Sequence, residues 1–270
     1  MTTAMPGYRI KIKRAERHVR ELAAECQAFI AREPYSIYTD DDAGTGQRVW
    51  KLKVNECVPA EWSAIVGDAI HNIRASLDLL MVAVVRRCDP GRQSYNHVHF
   101  VIRETRDQFQ ASLPKNIKGA SAEAQRLVEE LKPYKGGNEA FWRLHQLDVL
   151  DKHKAIVPVG AAHRSVGVTF NTNRKLAEML AEKGIKVNPA PMPPVFLRPA
   201  DRQFPLHDGA ELFRAPLNQD LPFEEDPQFK VEIAFGEGQI VDGEPVVPAL
   251  AQLGQFVEGV FNVFERRILC

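Results

Sequence analysis

Ile12, Ala15, Val19, Leu22, Cys26 and Phe29 recur at steps of three and four residues. That spacing lines one face of a helix and predicts a helix from about Tyr8 to Arg32. Glu33-Pro34 ends it, because proline disfavours helical geometry in the residue before it. Trp50, Leu52 and Val54 then alternate with other residues, as in a half-buried strand. With Ser36 to Thr39 and the Asp40–Gly46 turn sequence, they predict a β-hairpin.

A second apolar stripe, Val66, Ala69, Ile70, Ile73, Leu77, Leu80, Met81 and Val84, predicts a helix from Pro59 to the turn at Asp89-Pro90-Gly91. Val98, Phe100 and Ile102 alternate and predict a short strand. Helices follow at about Ser121 to Leu131 and Asn138 to Lys154. Beyond Ala155 the pattern becomes strand-like at 156–159, 165–170 and 229–235. A short helix is expected at 175–183 and an irregular proline-rich stretch at 189–194. A last amphipathic helix starts near Pro248. The pattern predicts an α+β fold: an antiparallel helical bundle with an inserted β-hairpin and a β-rich C-terminal portion. A single domain over 1–270 is expected, with helical core 8–33, 59–88, 121–155 and 248–268 and a β-rich insert at 156–247.

Composition changes little in this picture. The 270 residues carry 35 basic and 35 acidic side chains, so no global field draws the chain to nucleic acid or membrane. Six cations from Arg9 to Arg20 make the first helix basic, and the C-terminal third is acidic. These read as solvated faces. Cys26, Cys57, Cys88 and Cys270 form no Cys-x-x-Cys pair and suggest no disulfide framework. No apolar run is long enough to span a bilayer. A cytoplasmic protein is expected.

Candidate chemistry sits in two blocks. On the second helix, Asp68, His71, Arg74 and Asp78 share a face, with Asn72 on a flank. Alone they read as the wet side of an amphipathic helix, with Arg74 and Asp78 an ordinary i, i+4 pair. Gly67, in mid-helix, calls for a packing or functional reason. On the helix from Asn138, Asp151 falls in the stripe of Phe141, Leu144 and Leu147, and Asp148 lies on its edge. A buried carboxylate demands a partner. Arg74, His71, Arg14 and His18 are the candidates, and an interior Asp151–Arg74 pair is expected. Lys152, His153 and Lys154 suit the negative end of that helix's dipole.

Gly67-Asp68-x-x-His71-Asn72-x-Arg74-x-x-Leu77-Asp78, followed by Asp151-Lys152-His153-Lys154, resembles a family of uncharacterised bacterial proteins that carry paired blocks of this form. Arg14, His18 and Pro133-Tyr134 match its pattern too. Leu79 stands where the family often has histidine. A looser similarity is to HEPN-type helical bundles, many of them ribonucleases. Their arginine and histidine lie four to six residues apart, whereas Arg14 to His18 is one residue too short. Arg92 to His97 has the spacing but follows Pro90-Gly91.

Three functional readings follow. In the first, the Asp/His/Arg network is structural and fixes helix docking in a binding or oligomerisation module. In the second, His71 or His153 is a general acid or base tuned by Asp68 or Asp151, with Arg74 and Lys152 holding a phosphate or oxyanion. The second makes the chain a HEPN-like ribonuclease or phosphate-ester hydrolase, with RNA as partner. A metal-binding bundle, with Asp68 and His71 joined by Asp148 or Asp151, is a third, and His97 with His99 a further pair. No cofactor motif is present: the chain has no phosphate-binding glycine loop, nucleophile elbow, zincin helix or dinucleotide fingerprint. A second copy of the chain remains open as a partner.

Overall fold

The computed structural model describes residues 5–154, 156, 158–162, 166–168, 195–197, 207–217, 231–236, 240–241 and 243–270. The fold is α+β. Its helices are α1 (Gly7–Ile30), α2 (Trp62–Cys88), α3 (Arg106–Asn116), α4 (Ala122–Leu131), α5 (Glu139–His153) and α6 (Val246–Phe264). The last continues as a π-helical turn, Glu265–Leu269. The strands are β1 (Tyr35–Asp42), β2 (Gln47–Val54), β3 (Pro158–Ala162), β4 (Val166–Val168), β5 (Val195–Leu197), β6 (Glu211–Pro216) and β7 (Val231–Phe235). The stretches 175–183 and 189–194 lie outside the described residues. Among the described residues no helix is long and apolar enough to cross a membrane.

Contacts divide the chain into two compact units. One comprises Met1–Glu25, Ala60–Pro158 and Glu237–Cys270; the other comprises Cys26–Pro59 and Val159–Gly236. In the second unit the hairpin pairs antiparallel from Tyr35↔Val54 to Asp42↔Gln47. β2 also pairs antiparallel with β6, with a bulge between Trp50 and Lys51. The hairpin therefore shares one sheet, in the order β1-β2-β6, with a strand from the later β-rich portion. Leu52 and Ala210 form its buried centre, covered by Tyr35, Ile37 and Val54.

The first unit is helical. Its core holds Ile70, Ile73, Leu77, Leu80, Phe100, Phe141, Leu144, Leu147, Val257 and Phe261. Phe141 packs tilted against Phe100 at 5.0 Å and edge-to-face with Phe256 at 4.7 Å between ring centroids. Helix starts follow their caps: the Thr105 side chain accepts from Gln108 N, Ser121 from Ala124 N and Asn138 from Ala140 N.

One local expectation needs correction, and one helix lies where the residue pattern predicts none. No strand forms at 98–102. Val98, Phe100, Val101 and Ile102 are buried, but the only bridge of this stretch is Arg103 to Tyr134. Its backbone groups are taken up by other partners, described below. Helix α3 is the one that the pattern does not predict. It begins at a Thr105 cap and carries Pro114 near its end, and only Phe109 and Leu113 of it are buried. Two buried positions in eleven leave too faint a stripe to read.

Candidate functional site

Helices α2 and α5 meet along a polar seam. Gly67 faces Asp151, His71 bonds Asp148, and the Arg74 charge bears on His145. Numbers rise on one helix as they fall on the other, so the two run antiparallel.

Asp148, not Asp151, is the buried acid of α5. It is 4% exposed. One oxygen meets His71 Nδ1 at 3.1 Å and the other accepts from Lys152 Nζ. Both partners are about half exposed, at 52% for the His71 side chain and 53% for Lys152. The tie thus has a dry carboxylate inside, with the His71 imidazole and the Lys152 ammonium reaching water outside. His71 links the helices; Lys152 is a local i, i+4 partner on α5.

The expected Asp151–Arg74 pair does not form. Arg74 is 8% exposed and its guanidinium is otherwise engaged. Nη1 donates to Asp78 Oδ1 at 2.7 Å and Nη2 donates to the carbonyl of Phe100 at 2.9 Å. The amide of Phe100 in turn donates to Asp78 Oδ1 at 2.9 Å. Arg74 and Asp78 therefore close a ring around one residue's backbone, doing for Phe100 what a neighbouring strand would do. This corrects the reading of the pair as solvated. It also explains why an alternating, buried stretch is not a strand. At its end, Arg103 N donates to Pro133 O and Lys135 N to Arg103 O, which gives Pro133-Tyr134 a role in holding the segment.

Asp151 is half-buried and makes no hydrogen bond or ion pair among the described residues. Its carboxylate lies against Gly67. A Cβ at position 67 would stand 2.3 Å from Oδ1 and 2.6 Å from Cγ. The mid-helix glycine is thus required by the close approach of α5. Burial holds the Asp151 carboxyl above the usual carboxylate range, helped by the negative charges of Asp148 and Asp68 and opposed by His71 and Lys152.

Two histidines that the sequence reading left out of the seam belong to it. His145 has a buried Nδ1 without a partner among the described residues. Burial, then the charge of Arg74, pushes its imidazole below the usual range. His99 moves the same way, by burial first, with Arg103 and Arg74 also lowering it and Asp78 opposing. His145 was visible inside the second block. Only its antiparallel alignment with Arg74 would have singled it out.

The other expected residues lie apart or face elsewhere. Arg14 is exposed and makes no polar contact among the described residues. His18 is buried on α1, with Nδ1 3.6 Å from Glu21. Asn72 is buried and donates to the Asp68 carbonyl of its own helix at 2.7 Å. Asp68 is exposed, and His153 is exposed at the end of α5. Among the described residues no three His, Cys, Asp or Glu side chains are placed to hold a metal ion, so Asp68 and His71 do not gather a third ligand.

On the other flank of α2 the helices part. Tyr8 and Arg9 of α1 clamp the C-terminal end of α6: Tyr8 Oη donates to Glu265 Oε1 at 2.9 Å, and Arg9 Nη2 donates to Glu265 and to Asn262. Burial and this hydrogen bond push the Tyr8 hydroxyl up to about 12. Away from the clamp a cavity of about 280 Å³ opens between α1 and α6, with Ile73 of α2 among its lining residues. Comparisons with protein-family models, with curated proteins and with solved structures find no match to this chain.

Proposed function

We propose that the chain is a binding or oligomerisation module whose interhelical Asp/His/Arg network is structural. The observation that carries this reading is the use of Arg74. The one buried guanidinium of the seam spends its contacts on Asp78 and the Phe100 carbonyl, leaving no free fork for a substrate phosphate. Lys152 is held by Asp148 in the same way. Asp68 and Asp151, which form no ion pair among the described residues, add negative charge beside this pair, which disfavours an anionic substrate.

One observation favours a second reading, a proton-transfer site. His71 is oriented through Nδ1 by a buried aspartate, as a general base is. Beside it Asp151 is kept without a partner among the described residues, a cost that functional sites tolerate. Unfolding and turnover separate the two readings. The structural reading expects Asp148→Ala to lose stability, and His71→Gln and Asp151→Asn to leave any RNA or phosphate-ester turnover unchanged. Folded variants at positions 71 and 151 that abolish a turnover shown by the unaltered chain would establish the second reading instead.

A further inference from the structure

We propose that the face shared by the first half of α1 and the last half of α2 is a docking surface for a bilayer of anionic lipid. The chain lies on such a membrane and does not cross it. The proposal deepens the reading of the protein as a binding module and rests on it.

Two helical stripes build the face. On α1, Gly7, Ile10, Arg14 and Arg17 follow one another at steps of three and four residues, with Lys11 beside them. On α2, Leu79, Val82, Ala83 and Arg86 share a face in the same way. A Cβ at Gly7 would stand 3.6 Å from Leu79 Cδ1, and Ile73 shares a cavity with Ile12 and Val19. The two helices therefore run antiparallel, with these stripes side by side.

The centre of the face is apolar and its ends are basic. Met5, Ile10 and Leu79 gather here, three of the seven large apolar side chains that stand exposed among the described residues. Ile10 is 55% exposed. Arg86 lies at one end, and Lys11, Arg14 and Arg17 at the other. None of these four meets a carboxylate among the described residues; Arg86 lies only over the Tyr95 ring. Exposed cations elsewhere are paired, as Arg32 is with Glu56, Arg48 with Asp41 and Arg267 with Glu123.

The nearby acids stand outside the face or are engaged. Glu21 and Glu25 follow Arg17 on α1, and Asp68 lies three turns before Leu79 on α2, which the antiparallel pairing puts at that same far end. At about 1.5 Å per residue, Glu21 is about 16 Å from Ile10, beyond the screening length of about 10 Å in 0.1 M salt. Asp78 is held by Arg74, and Asp89 turns to Gly119 beside Arg92. Glu16 and Arg20 turn toward α6, where both line the cavity, and Lys13 lies on their side of the helix. Arg9 is neutralised by Glu265.

Aliphatic side chains between cations fit a bilayer surface, where the cations meet anionic headgroups and the aliphatics enter the acyl boundary. A nucleic-acid backbone would leave the three aliphatics unused, and neither stripe carries an aromatic side chain to stack a base. The contact is shallow, because the apolar stripe of α1, with Ile12, Ala15, Leu22 and Phe29, is buried in the protein.

The test is flotation of the full chain with vesicles of phosphatidylcholine alone, and of phosphatidylcholine and phosphatidylserine in equal parts. The chain is expected to bind the second and not the first, and to be released by salt. Arg14→Glu with Arg17→Glu is expected to weaken binding by about tenfold or more. Ile10→Ser is expected to weaken it by about fivefold. All three positions are exposed, so circular dichroism is expected to be unchanged. No binding to either vesicle overturns the proposal, and so does equal binding to both or an Ile10→Ser variant without effect. So does a nucleic-acid duplex bound more tightly than the anionic vesicles, with the same dependence on Arg14 and Arg17. A chain that ignores both vesicles but whose unfolding still depends on Arg74 and Asp148 leaves the structural reading of the seam intact, so the two failures are distinguishable.

Discussion

Ile73 and Arg74 are neighbours in α2 and face opposite circumstances. Arg74 lies in a seam where buried charges are matched by named donors and acceptors, and where three segments are bound together. Ile73 is fully buried and lies beside a cavity of about 280 Å³ between α1 and α6. On the seam side, desolvated polar groups fix one docking pose, because any other pose strands a charge. On the other flank the packing is apolar, with Ile12, Ala15, Ile73 and Leu250 all buried, and the polar ties from Tyr8 and Arg9 to Glu265 sit at one end. The contrast separates the part of the bundle whose docking is fixed by polar partners from the part held by apolar packing.

The largest effect that would blur this contrast is removal of the guanidinium. Arg74→Leu strands the Phe100 carbonyl and frees Asp78, and is expected to destabilise the protein by about 3 kcal/mol in urea unfolding. Asp148→Ala comes next. It leaves His71 and Lys152 without their carboxylate, but both already reach water, so the expected loss is smaller, about 2 kcal/mol. Substitutions of similar size on the cavity side, such as Gly254→Leu, are expected to leave the urea midpoint unchanged or raise it slightly.

Gly67 sharpens the comparison at a finer scale. Gly67→Ala gains helix propensity but pushes a methyl into the Asp151 carboxylate, and is expected to lose about 1 kcal/mol. In an Asp151→Ala background the obstacle is gone, and the same change should stabilise by up to about 1 kcal/mol. A reversal of sign between the two backgrounds, measured by chemical unfolding, checks the close approach of α5.

The smallest effect is a pH dependence confined to the seam. His99 and His145 titrate below their ordinary value of 6.5 in the fold. The folded protein therefore takes up protons less readily than the unfolded chain. Their contribution is fully present above that ordinary value and is lost as the pH falls through it toward the depressed folded values. Asp151 acts with the opposite sign. Its carboxyl is raised, so the penalty of its charge is present above its folded value and is relieved as the pH falls through that value. The urea midpoint is expected to drop between about pH 7.5 and about pH 5.5, and His145→Leu should flatten part of the drop.

Much of this was legible from the residues, and the failures have physical causes. The helices with dense apolar stripes, α1, α2, α5 and α6, could be read to within a few residues because burial imposes their period. Period two over Val98 to Ile102 signalled buried positions, but no strand forms there and Val101 is buried with its neighbours. It could not say that Asp78 and Arg74 stand in for a pairing strand, since that depends on side chains twenty-odd residues away. The two blocks meet as anticipated, and Gly67 has the packing reason that its position in mid-helix demanded. The identity of the buried acid was misread. Asp151 and Asp148 are three residues apart and share a helix face, so a wheel ranks them by angle alone. Which of them is dry is decided by the partner helix, where a glycine sits under one and a histidine beside the other.

The central claim is that the seam's charges are structural, and a double-mutant cycle on Arg74 and Asp78 tests it most directly. Unfolding free energies of Arg74→Leu, Asp78→Ala and the double variant give the coupling between the two side chains. A pair that jointly holds the backbone of Phe100 is expected to couple by more than about 1 kcal/mol. A coupling of about 0.2–0.5 kcal/mol, the range of a solvated i, i+4 pair, would contradict the account.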